Sequence, residues 1–151
     1  MNAKPAHRPV RLGVVLGYRN PGVVARYCRE HNVATAEGED VFREMLKWLY
    51  LCYRSATDRP EGFVCTMFPE IEKIDWMWHA FLLFTRDYAA FCDRYFGFFL
   101  HHVPNEVGEE APADEAAMRA GLQELYAFVY DVLGEETLTA WYDHCRYATR
   151  T

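Results

Sequence analysis

From Glu70 to about Phe84 the chain is apolar on almost every side of a helix. At about 100° per residue, Ile71, Ile74, Trp78, Phe81 and Leu82 form one stripe, and Trp76, Met77, Leu83 and Phe84 cover much of the remainder. A helix apolar all round has to lie inside a folded body, so the rest of the chain must enclose it. Polar groups are confined to a narrow strip bearing Glu72, Asp75, His79 and Arg86.

The material to enclose it is present. Apolar types make up 51% of the 151 residues and aromatic types 16%, and ten of the Trp, Tyr and Phe rings fall between Trp76 and Phe99. Charged residues at 25% complete a globular composition that excludes a disordered or low-complexity chain. A chain of this length is expected to form one domain that buries roughly two-thirds of its unfolded surface.

The flanking pattern is helical throughout. A short helix is expected from Val23 to about His31. A longer one is expected from an N-cap at Asp40 to about Ser55, with Val41, Met45, Trp48 and Cys52 on its inner face. Asp58 to Gly62, with Pro60, reads as a turn. Thr85 can cap a helix running to Phe96, which Gly97 stops. Phe98 to Pro104 reads as an extended exit segment, and Asn105 to Glu115 as an acidic loop. Asp114 then caps a helix to Leu133, with Met118, Leu122, Leu125, Val129 and Val132 facing inward, and Gly134 ends it. A last helix carries Leu138, Trp141, Cys145 and Ala148. The expected fold is therefore all-α: an irregular N-terminal arm over residues 1–20, extended at most, and one compact bundle of about five helices over 21–151.

Charge and cysteine usage narrow the function classes. The net charge is −6, although Lys4, Arg8, Arg11, Arg19, Arg26 and Arg29 face only Glu30 in the first 30 residues. An acidic domain argues against a nucleic-acid partner. Cys28, Cys52, Cys65, Cys92 and Cys145 form an odd set without a CxxC pair, which argues against a disulfide framework and a zinc ribbon. No apolar run approaches the length of a membrane span, so a soluble cytoplasmic protein without a membrane partner is the expectation.

The chemistry concentrates in the middle. Asp75 and His79 stand four apart on a helix, close enough for the carboxylate to hold one imidazole nitrogen and orient the other. Tyr88, Cys92, Gly97 and the pair His101-His102 follow. A straight helix would hold His79 and Cys92 about 20 Å apart, so a shared site requires the chain to turn back near Thr85.

The block Asp75-x-x-Trp78-His79, with Tyr88 and Cys92 behind it, resembles the glycine-rich domain-containing protein-like family. Phe81 and Phe84-Thr85 stand where that family's pattern has a second His and an Asn-Pro. The resemblance covers residues 40–147 loosely and implies a helical fold with these residues at its centre. It implies no reaction.

Three readings follow. The first is a small helical binding module that recognises a partner protein or small ligand through an aromatic-lined polar seam of Asp75, Trp78, His79, Tyr88 and Cys92. The second is a metal-binding protein or metal-dependent enzyme. Zinc or iron would accept Asp75, His79, Cys92 and one of His101 and His102, because neighbours in extended chain point to opposite faces. The third is a thiol enzyme with Cys92 activated by His79. His7, His31 and His144 are expected at the surface, and Cys28, Cys52 and Cys145 in the core.

Overall fold

The computed structural model describes residues 9–59, 65–103 and 114–149. Among them there are seven α-helices and no strand, so the class is all-α. Five helices exceed ten residues: α2 (Pro21–His31), α3 (Thr35–Asp58), α4 (Glu72–Leu83), α5 (Thr85–Phe96) and α6 (Glu115–Leu133). The count passes five because α1 (Leu12–Val15) and α7 (Glu135–Leu138) are single turns. Lys4, His7, Arg8, the turn at Pro60 to Gly62 and nearly all of the acidic loop lie outside the described residues.

The hub is α3 rather than α4. Thirteen of its residues are buried, and it packs against α1, α2, α4 and α6. Val41, Met45, Trp48 and Cys52 do face inward, but so do Phe42, Leu46, Leu49, Leu51 and Tyr53. The helix starts at Thr35, five residues before Asp40, so Asp40 lies within it instead of capping it. Its carboxylate accepts a hydrogen bond from Tyr147 Oη (2.8 Å), while buried Glu44 pairs with Lys47 (2.7 Å), which also donates to Thr137 Oγ1 (3.2 Å). This network ties the C-terminal segment to the hub.

Gly38 sets how closely α2 can approach α3. A Cβ there would lie 2.3 Å from Cys28 Sγ and 3.1 Å from Val24 Cγ1. Gly134, at φ 95°, ends α6 in a conformation that a side chain would strain. At the other end Asp114 Oδ1 accepts from the Ala116 amide at 2.9 Å. Leu125, Phe128 and Val129 are the buried residues of α6, and Met118 is exposed.

Two further expectations are corrected. The N-terminal segment is not extended where its apolar residues alternate: residues 12–15 make a helical turn that buries Val15 and leaves Val14 out. After α7 the chain widens into a π turn over Thr139–Asp143 instead of continuing as an α-helix to Ala148. That turn seats the Trp141 ring 6.0 Å from Trp48 in the core.

Candidate metal centre

The site depends on the change of direction between α4 and α5. It occurs at Phe84, whose φ and ψ of −88° and 67° are not helical, while Thr85 is the first residue of α5 and caps nothing with its side chain. The two helices then pack through rings. Phe81 lies 5.0 Å from Tyr88 and 5.4 Å from Phe91, centroid to centroid. Gly97, at φ 76°, stops α5 and releases the segment 98–103 back along α4.

That segment is held at Leu100. The Trp78 indole donates to Tyr88 Oη (3.1 Å), and the Tyr88 hydroxyl donates to the Leu100 carbonyl. The Cys92 thiol lies beside the Leu100 backbone and Tyr88. Burial pushes the Tyr88 phenol far above its ordinary value, so it remains a neutral donor. Two residues beyond Leu100, alternation turns His102 inward and His101 outward, where the His101 ring rests against Phe99 (4.8 Å).

His102 meets Asp75 and His79 at one point. His102 Nε2 is 2.8 Å from Asp75 Oδ1 and 3.0 Å from His79 Nε2, and His79 Nε2 is 3.5 Å from the same carboxylate oxygen. Among the described residues, this is the set of His, Cys, Asp and Glu side chains with donor atoms close enough to share an ion. Trp78 backs it, edge-on to His102 with ring centroids 4.3 Å apart. The His79 side chain is 55% exposed against 15% for His102, so the cluster opens to solvent on the His79 side.

Cys92 does not join. At 1% exposure it faces the core from the inner side of α5, and burial raises its thiol pKa, the opposite of what a nucleophile needs. His101 does not join either. Glu72, on the same polar strip as Asp75, instead accepts from Thr149 Oγ1. His31 is not a simple surface residue: its ring stacks on Trp76 at 4.6 Å with planes 2° apart.

Two of the three edges of the triangle are hydrogen bonds. A carboxylate only accepts, so the 2.8 Å edge requires the proton on His102 Nε2. That proton can be shared with His79 Nε2 as the acceptor of the 3.0 Å edge, in a three-centre bond. The three donor atoms, Asp75 Oδ1, His79 Nε2 and His102 Nε2, also lie close enough together to share one cation. Metal–ligand bonds of about 2.0–2.1 Å place donors about 2.9 Å apart in octahedral cis positions and about 3.4 Å apart in a tetrahedron; the observed edges of 2.8, 3.0 and 3.5 Å lie close to these values, the shortest just below them and the longest just above.

A model of the UCP032817-like family matches residues 16–130. The chain belongs to the UCP032817-like family. This corrects the likeness to the glycine-rich domain-containing protein-like family, which the block from Asp75 to Cys92 suggested: a short shared block spans too little of the chain to decide membership, and the match over residues 16–130 takes in α2 to α5 and most of α6. No curated protein and no solved structure matches this UCP032817-like chain. Among its described residues, no helix is long and apolar enough to cross a membrane.

Proposed function

We propose that this protein is a helical metal-binding module in which Asp75, His79 and His102 hold a divalent first-row metal, zinc or ferrous iron. The observation that carries the reading is the mutual approach of Asp75 Oδ1, His79 Nε2 and His102 Nε2 at coordination-edge distances. Two neutral imidazoles and one carboxylate suit both metals.

Three protein donors leave at least one position open, and exposure on the His79 side gives it access to solvent. An open position is what separates a working metal from a structural one: it takes water, lowers the pKa of that water, or binds a small ligand directly. Trp78, Tyr88 and Cys92 are positioning residues in this reading. They fix Leu100, and through it His102, without touching the metal.

Cobalt(II) tests the proposal because its visible spectrum reports the ligands. Titration into tag-free protein should give saturable equimolar binding without the intense thiolate band that Cys92 would add. Asp75→Ala and His79→Ala should each abolish it, and Cys92→Ala should retain it. Equal binding by wild type and the Asp75 and His79 variants would overturn the assignment. The polar seam would then stand as a hydrogen-bonded surface for a partner protein or small ligand.

A further inference from the structure

A second recess lies away from the metal centre, between α2, α3 and the end of α1. It encloses about 490 Å³, within the range of small-molecule sites, and none of Asp75, His79 or His102 lines it. Its apolar lining comprises Leu16, Pro21, Val24, Ala25, Phe42 and Leu46; Pro21 and Ala25 are exposed, and Val24, Phe42 and Leu46 form its base in the body of the protein. The floor is therefore rigid core rather than loose surface.

The rim carries an unbalanced charge. Arg19 and Arg43 both line the recess, with Glu39 one turn before Arg43. Among the described residues neither arginine has a carboxylate within ion-pair distance, although acidic residues outnumber basic ones in this chain by 22 to 16. Arg19 is fixed in place: its Nη1 donates to the carbonyls of Leu16 (2.7 Å) and Tyr18 (3.0 Å), which leaves the other N–H groups of the fork free. Asn20 beside it is also committed, its Oδ1 capping α2 at Val23 and its Nδ2 donating to Asp87. A pinned arginine, a second unpaired arginine and an apolar floor together have the chemistry of a receptor for an amphipathic anion.

We propose that this recess binds a small amphipathic carboxylate, its apolar part on Leu16, Val24, Phe42 and Leu46 and its carboxylate between Arg19 and Arg43. With Glu39 counted, the rim is positive by one charge, which matches a monoanion. A neutral molecule of the same length would gain the floor but not the rim.

Calorimetric titration with octanoate and with octanol tests this. Octanoate should bind saturably at one site, and Arg19→Gln and Arg43→Gln should each weaken it about tenfold while leaving octanol unchanged. Ala25→Trp, which places a large ring at the recess, should abolish binding of both. Absence of saturable octanoate binding would overturn the proposal, as would octanoate affinity unaltered in both arginine variants. The readout does not involve the metal centre, so its failure leaves the Asp75–His79–His102 assignment standing.

Discussion

His102 Nε2 stands 2.8 Å from Asp75 Oδ1, and this contact joins the segment leaving α5 to the polar strip of α4. It does not arise from local sequence. It requires the bend at Phe84, the stop at Gly97 and the anchoring of Leu100, and each can be broken separately.

Tyr88→Phe removes the hydroxyl between the Trp78 indole and the Leu100 carbonyl. Two buried groups then lose a partner, at about 1–3 kcal/mol in urea unfolding. Cobalt affinity should fall as well, because the segment carrying His102 loses its anchor. A variant with reduced stability but unchanged affinity would show that His102 is held by something other than Leu100.

Phe81 is fully buried and packs its ring against Tyr18, Phe42, Tyr88 and Phe91. Phe81→Ala should destabilise by about 3–5 kcal/mol through lost burial and the cavity left behind. Thermal and urea denaturation measure it. A loss below about 1 kcal/mol would mean that the bend between α4 and α5 is not held by this ring cluster.

Gly38→Ala places a methyl group 2.3 Å from Cys28 Sγ, so α2 and α3 must separate or the cysteine must rotate. About 1–3 kcal/mol of destabilisation is expected. The double variant Gly38→Ala, Cys28→Ala should recover part of it, and no recovery would place the strain at Val24 instead.

Burial raises the thiol pKa of both Cys52 and Cys92, leaving little thiolate near neutrality. A raised pKa means that alkylation of these two should accelerate only as pH climbs past the ordinary thiol range. Half-buried Cys28, Cys65 and Cys145 should label first at pH 7.5. Fast labelling of Cys92 at that pH, detected by peptide mass spectrometry, would restore the thiol-enzyme reading.

Much of the helical framework could be read from residue pattern because its signals are local. Gly97, Asp114 and Gly134 act within a turn of their own positions, and apolar periodicity marks the long helices wherever they pack. Signals that depend on distant partners misled. Asp40 has the chemistry of an N-cap but lies within α3, where its carboxylate is used by Tyr147, far along the chain. Met118 keeps the apolar spacing of α6 yet is exposed, because nothing in the described residues covers that end of the helix. Within the site, the i, i+4 relation brings Asp75 and His79 together by itself. The choice between His101 and His102 depends on which side of the exit segment faces α4, and the separation of Cys92 on which side of α5 faces the core. Spacing cannot supply that. The recess at Arg19 and Arg43 has no sequence signature, since its walls come from three elements.

The central claim is tested most directly by elemental analysis of protein expressed without an affinity tag and kept from chelators. The account predicts equimolar zinc or iron in the wild type and background metal in His102→Ala. Folded wild-type protein with background metal, or a His102→Ala variant that retains equimolar metal, would contradict it.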